Sequence, residues 1–158
     1  MIRLARGILV VFLAIAGHSL TIYVPAIAGF LDLFLIVVVY YAVTTEQVNA
    51  MAVGVACGLV QDVLFSPVIG VNAFSKALLG YLIGGLSSRM LLHQAPAQLM
   101  VLGAATLLQA FVLFALQRIL GFSAEWPGGQ HLFLGALGNM LFGGLFYAAL
   151  RQRQRRVR

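Results

Sequence analysis

An apolar hairpin decides the fold of this 158-residue chain, and it occupies residues 54–84: GVACGLVQDVLFSPVIGVNAFSKALLGYLIG. In the first arm Gly54, Gly58 and Asp62 recur every four residues, so they share one face of a helix. The second arm repeats this spacing at Asn72, Lys76, Gly80 and Gly84. Ser66-Pro67 interrupts the helix between the arms, because proline lacks a backbone N–H and clashes with the preceding turn. Stripes of small residues let membrane helices approach closely, which predicts two tightly packed helices.

The composition around the hairpin excludes a soluble protein. Apolar residues make up 62% of the chain and charged residues only 9%, whereas soluble domains carry about 25% charged residues. A single cysteine, Cys57, excludes a disulfide scaffold or a zinc finger. Six spans of about 20 residues each would use about 120 residues, which leaves room only for short loops and a tail.

The apolar segments predict an all-α integral membrane protein with a six-helix bundle in residues 1–150 and a basic tail in 151–158. The expected spans cover residues 7–24, 32–43, 48–65, 71–86, 97–120 and 132–150. The second span is short. In an alternative it starts near Ala28, and the Asp32 side chain then extends outward to the membrane surface. The first segment also resembles a cleavable signal peptide with Ala14-Ile-Ala16 as its cleavage site, although the apolar run continues to Phe30.

The arginines predict the orientation. Six spans put both termini on one side, and the basic residues expected there are Arg3, Arg6, Arg89, Arg151, Arg153, Arg155, Arg156 and Arg158. The opposite side carries Arg118 alone, so the positive-inside rule places both termini in the cytoplasm. A net charge of +6 would suggest a nucleic-acid partner in a soluble protein. Here the basic residues lie at the span ends, so the membrane orientation explains the charge. The five tail arginines set the topology, and they also suit anionic lipid or a cytoplasmic partner.

Two charged residues flank the hairpin turn and form the candidate site. Lys76 lies about 6 Å deeper than Asn72, one helical turn away, and its long stem can reach back toward Asp62. We therefore expect Lys76 to pair with Asp62, with Asn72 and Gln61 nearby. The group is either a pocket or partner-contact site, a structural ion pair, or two residues that reach the membrane surface independently.

Other polar residues suggest packing. Asn139 and Gln109 lie within spans and suit hydrogen bonds across the bundle or to a ligand, while Asp32 suits the N-terminus of a helix. The histidines show no metal-ligand spacing, and no catalytic motif is present. The sequence therefore predicts no enzyme, catalytic residue, metal or cofactor.

The hairpin residues 54–73 resemble the rod shape-determining protein MreD family. In that family an Asp closes a glycine-striped helix, a short Ser/Gly/Pro turn follows, and a Gly-hydrophobic pair opens the next helix. Tyr81-Leu-Ile-Gly-Gly-Leu-Ser-Ser-Arg89 and Asp32-Leu-Phe-Leu-Ile-Val-Val-Val-Tyr-Tyr41 are also similar to the family pattern. One departure is Leu31, where the family often has proline.

The resemblance implies a non-enzymatic scaffold subunit of the bacterial cell-elongation and peptidoglycan-synthesis machinery, multi-pass in the inner membrane. The implied direct partner is MreC, a single-span protein with a periplasmic coiled coil. MreB, RodA and a penicillin-binding transpeptidase would be linked indirectly.

The resemblance also implies a fold similar to the substrate-binding subunits of energy-coupling-factor vitamin transporters. The alternative function is therefore a substrate-binding membrane subunit of a small-molecule uptake transporter. Those subunits carry an Ala-x-x-x-Ala docking motif in span one, but here Ala14 is followed four residues later by His18. This difference favours the scaffold.

Overall fold

The computed structural model describes residues 31–89, 94–123 and 125–156, and the regular secondary structure in those ranges is entirely helical. The helices are α1 (Leu33–Thr44), α2 (Gln47–Phe65), α3 (Val71–Ser87), α4 (Ala95–Ile119) and α5 (Gly129–Arg156). Their bounds lie within a few residues of the second to fifth expected spans and of the start of the sixth. The first expected span, and the alternative of a signal peptide, lie outside the described residues.

The outward surfaces of these helices are those of a membrane protein. Three helical segments are long and apolar enough to cross a membrane, namely Gln47–Phe65, Pro96–Ile119 and Gly129–Ala149, and Leu33–Thr44 is a shorter apolar helix. Large apolar side chains are exposed along α4 and α5, among them Met100, Phe111, Phe133, Leu141 and Leu145. Contiguous apolar surface of this kind is unfavourable in water and is expected where a helix faces lipid.

Helix α1 is the central element of the bundle. It contacts each of the other four described helices, and its residues from Phe34 to Val39 are all buried. Its 12 residues span about 18 Å, which is too short for a hydrocarbon core about 30 Å thick. One end of α1 therefore lies within the hydrocarbon layer, and the hydrogen bonds of Asp32 to other helices show that it is the N-terminal end. This places Asp32, the residue that precedes α1, among the other helices.

Helices α2 and α3 form the expected hairpin and pack with almost no space between their backbones. The glycines at the contact are Gly54, Gly58, Gly80 and Gly84. A Cβ atom added at Gly80 would lie 2.5 Å from the carbonyl oxygen of Ala50, and one added at Gly58 would overlap the backbone of Ala73. Close backbone approach is the packing mode expected where lipid removes any hydrophobic force between helices.

The turn of the hairpin ends at a glycine. Gly70 precedes α3 with φ = 104°, a left-handed conformation that glycine adopts without strain.

The last helix extends into the basic segment. Helix α5 continues past Leu150 to Arg156. The backbone of the basic segment, expected as a tail, is thus helical for most of its length.

Candidate functional site

A first polar cluster, the hairpin cluster, surrounds Asp62 near the turn between α2 and α3. Asp62 is fully buried. Its Oδ1 accepts hydrogen bonds from the backbone N–H of Asn72 (3.1 Å) and from the side-chain amide of Asn72 (2.9 Å). Its Oδ2 accepts from the backbone N–H groups of Gly70 (2.9 Å) and Ala73 (3.0 Å). The Asn72 amide also donates to Ser66 Oγ at 2.9 Å, which fastens the turn.

Asp62 acts as the N-terminal cap of α3 from a neighbouring helix. The first N–H groups of a helix have no partner within it, and a carboxylate at that end satisfies them and complements the helix dipole. Gly70 occupies the cap position but has no side chain to do this. Both carboxylate oxygens of Asp62 are used by four donors, so the hairpin cluster is a self-contained structural unit.

The expected pairing of Lys76 with Asp62 is wrong. Lys76 Nζ instead donates to Asp32 Oδ2 at 2.7 Å, and the Lys76 side chain is 0% exposed. The reason is competition, because the donors of the turn already occupy the carboxylate of Asp62. Gln61, which was expected near the pair, belongs to neither polar cluster. Its buried Oε1 has no hydrogen-bond partner in the part of the chain that the structure describes.

A second polar cluster, the central cluster, consists of Asp32, Lys76, Thr106, Gln109 and Asn139. Asp32 Oδ2 accepts from both Lys76 Nζ and Gln109 Nε2 at 2.7 Å. Its Oδ1 accepts from the backbone N–H of Leu35 at 2.9 Å. The backbone N–H of Asp32 donates to Asn139 Oδ1 at 2.9 Å. Asp32 thus forms hydrogen bonds with side chains from α3, α4 and α5, and it also caps the N-terminus of α1.

The central cluster continues from Asn139 toward α4. The Asn139 amide donates to Thr106 Oγ1 at 3.1 Å, and the Thr106 hydroxyl donates to the carbonyl of Leu102 at 2.9 Å. The hydrogen bonds expected of Asn139 and Gln109 across the bundle are therefore present. The expectation that Asp32 caps a helix is confirmed, whereas the alternative in which it reaches outward is wrong, because Asp32 points to Lys76.

The central cluster is electrically balanced within a low-dielectric environment. Its single carboxylate is only 17% exposed and lies against its single ammonium. A charge left alone at the centre of a membrane helix costs about 2.5 to 3.5 kcal/mol on insertion scales. A buried pair contributes little net stability, but removal of one partner costs about 3–5 kcal/mol because the other charge stays uncompensated. The pair therefore fixes the positions of α1 and α3 relative to each other.

The hydrogen bonds of the two clusters connect helices and cap helix ends. Across residues 31–89, 94–123 and 125–156, no three His, Cys, Asp or Glu side chains converge in a way that would hold a metal ion. Cys57 is buried in an apolar group with Phe34, Val37 and Val38. The charged and amide groups of the clusters bond to one another and to helix ends.

A model of one protein family matches residues 1–151, and its description is rod shape-determining protein MreD. The chain belongs to the MreD family. The MreD match includes both polar clusters and α5 as far as Arg151. No curated protein and no solved structure matches the chain.

The sequence analysis named four of the five members of the central cluster, missed Thr106, and did not bring the four together. It placed Lys76 in the candidate site and treated Asp32, Gln109 and Asn139 as separate packing residues. A signal was available, since a span of 12 residues must begin or end inside the membrane. If it begins there, its first residue lies at the level of polar groups within the other spans.

Proposed function

We propose that the chain is a non-enzymatic scaffold subunit of the bacterial machinery for cell elongation and peptidoglycan synthesis. The observation that carries the proposal is the MreD family match over residues 1–151. The proposed location is the inner membrane, which the chain crosses six times through residues 1–150, with a basic cytoplasmic segment in 151–158.

The burial and internal bonding of the charged residues support a scaffold role. Asp62 and Lys76 are fully buried, and their charged groups are engaged inside the bundle. Two clusters fix the hairpin and the central helix, while the outward faces of α4 and α5 remain apolar. A bundle held together from within can present a constant lipid-embedded surface to the membrane span of another protein.

The proposed partner is an MreC-like single-span protein with a periplasmic coiled coil, through which MreB, RodA and a penicillin-binding transpeptidase are linked indirectly. Helices that associate within lipid do so by close packing of their side chains. Contact through outward apolar faces suits a partner that contributes one membrane span. No nucleic acid is part of this proposal.

The basic residues support the proposed orientation. Arg118, at the end of α4, is the single basic residue assigned to the outer side. Both termini then lie in the cytoplasm, where the arginines from Arg151 to Arg158 meet the anionic lipid surface.

Co-purification tests the scaffold directly. The chain, tagged at its C-terminus, is extracted gently, and the proteins that accompany it are identified by mass spectrometry against an unrelated tagged six-span protein at matched expression. We expect a single-span periplasmic coiled-coil protein together with wall-synthesis enzymes.

The same experiment addresses the alternative of a transporter subunit. Recovery of ATPase subunits with a second membrane component, in place of the wall enzymes, would contradict the scaffold. An outward cavity lined by Asp62 and Lys76 would favour that alternative, but both side chains are fully buried.

A further inference from the structure

The turn between α2 and α3 is the one connection between described helices that carries no charged residue. The other three connections contain Glu46, Arg89 and Glu125, and all three side chains are exposed. Residues 63–74, the hairpin tip, comprise this turn and the helix ends beside it. The large exposed side chains of the hairpin tip are all apolar, namely Val63, Leu64, Ile69 and Phe74, and Ile69 is 68% exposed. A connection that extends into water does not need such a surface.

The backbone of the hairpin tip bonds mainly inward. The carboxylate of Asp62 accepts from three backbone N–H groups, and the Ser66 N–H donates to the Asp62 carbonyl at 3.1 Å. Pro67 has no N–H to satisfy. Non-helical backbone is tolerated in lipid only where its polar groups are paired. Among the described residues no hydrogen bond uses the N–H groups of Val68 and Ile69, so these two groups need the polar headgroups nearby.

The lengths of α2 and α3 limit how far the hairpin tip can extend. The two helices have 19 and 17 residues and span about 29 Å and about 26 Å. Their other ends lie beside the exposed charged residues Glu46 and Arg89, which belong at the membrane surface. Since the hydrocarbon core is about 30 Å thick and tilt shortens the reach of a helix, the turn lies at the far boundary of the core. Helix α4, with 25 residues, spans about 38 Å and can pass that boundary.

We propose that the hairpin tip is inserted into the lipid of the outer leaflet and does not extend into the water outside. Phospholipid acyl chains cover the apolar side chains of the tip, and the headgroups meet the N–H groups of Val68 and Ile69. The surface is continuous with the lipid-facing side of α2, because Val55, Leu59 and Val63 are exposed at four-residue intervals. The proposal requires a membrane location but not the scaffold role.

The inserted position explains why a buried carboxylate caps α3. In water, solvent could satisfy the first N–H groups of that helix. Within lipid no solvent is present, and the cap residue, Gly70, has no side chain to replace it. Asp62 supplies the missing acceptor from α2, so the turn can lie at the edge of the hydrocarbon core without unpaired donors at the start of α3.

Spin labels on the intact protein test the environment of the hairpin tip. The full chain is reconstituted in liposomes of phosphatidylethanolamine and phosphatidylglycerol, and a nitroxide is attached to one new cysteine at a time. Val63→Cys and Ile69→Cys label the tip, Val55→Cys is the lipid reference, and Glu125→Cys is the water reference. The native Cys57 is buried, and the wild-type protein measures any labelling of it.

Power saturation then measures how often each label collides with oxygen, which concentrates in lipid, and with a water-soluble nickel complex. At positions 63 and 69 we expect frequent collisions with oxygen and a loss of collisions with nickel, as at position 55. Collisions with nickel as frequent as at position 125 would place the tip in water and overturn the proposal. Few collisions with either reagent would place the tip against protein, such as a second copy of the chain, and would overturn it as well.

Discussion

Lys76 and Asp32 lie 44 residues apart in sequence, and their charged groups meet at 2.7 Å inside the bundle. The contact depends on the shortness of α1, which brings its N-terminal cap to the level of a lysine in the second turn of α3. The hairpin of α2 and α3 is thereby tied to the central helix by charge as well as by packing. Of the two polar clusters, this is the one that joins separate parts of the bundle.

The glycine contact between α2 and α3 should tolerate no side chain. In Gly58→Ala the new Cβ would overlap the Ala73 backbone, so the helices must separate, and we expect a loss of about 1–3 kcal/mol in the free energy of unfolding. Gly128→Ala is the matched control, because open space surrounds that glycine. Thermal unfolding in detergent measures both variants. Equal melting temperatures for the two would show that the backbones are not in close contact.

The cap that Asp62 provides to α3 should be sensitive to loss of one oxygen. Asp62→Asn replaces one of the two accepting oxygens with an NH2 donor that faces backbone N–H groups, and we expect the free energy of unfolding to fall by about 1–3 kcal/mol. Glu46→Gln is the control, since Glu46 precedes α2 but its side chain makes no capping hydrogen bond. Urea unfolding, followed by circular dichroism, measures the free energy of unfolding of the Asp62→Asn and Glu46→Gln variants.

A second measurement on Asp62→Asn separates packing from partner contact. Partner recovery per folded molecule should equal that of the wild-type protein, because the carboxylate is satisfied within the hairpin. Loss of the partner from a fully folded variant would instead place the hairpin cluster at an interface.

Asn139 should contribute to stability through its two hydrogen bonds in the central cluster. Asn139→Ala removes the bonds to the Asp32 backbone and to Thr106, and measured interhelical hydrogen bonds in membranes predict a loss of about 0.6–1.7 kcal/mol each. Asn49→Ala, at an exposed position of α2, should have little effect. A melting temperature that falls equally in both variants would rule out a specific role for Asn139.

The basic C-terminal segment should select anionic lipid. Replacement of its five arginines with glutamine removes about 1 kcal/mol of attraction per residue to an anionic membrane surface. The substituted residues are Arg151, Arg153, Arg155, Arg156 and Arg158. Native mass spectrometry after purification should then find less bound anionic lipid and unchanged neutral lipid. Unchanged anionic lipid would contradict lipid binding by this segment and leave topology and contact with a cytoplasmic partner as its roles.

The sequence was sufficient for the local structure of the hairpin. The four-residue spacing of Gly54 and Gly58, and the Ser66-Pro67 break, are determined by helix geometry and proline chemistry, which act over a few residues. Asp62 and Asn72 lie five residues before and five residues after Pro67, so their proximity is expected from a hairpin that turns there. Each of these inferences needed only contacts between neighbouring segments.

The central cluster could not be derived in the same way. Asp32, Gln109 and Asn139 come from three separate spans, and their meeting depends on how far each span is inserted and which face it turns inward. The sequence analysis considered only Asp62 as the partner of Lys76, whereas the fold brings a second acid, Asp32, within reach of the lysine. The choice between them was decided by the N–H groups of the α3 N-terminus, which bind one of those acids and leave the other free for the lysine.

A double-mutant cycle tests most directly whether the bundle is held by the Asp32–Lys76 pair. The variants are Asp32→Asn, Lys76→Met and both together, compared by the free energy of unfolding. Each single change should cost about 3–5 kcal/mol because it strands a buried charge. The double variant should lose less than the sum, by about 0.5–3 kcal/mol of coupling. Additive losses, or coupling of Lys76 to Asp62 in a parallel cycle, would contradict this arrangement.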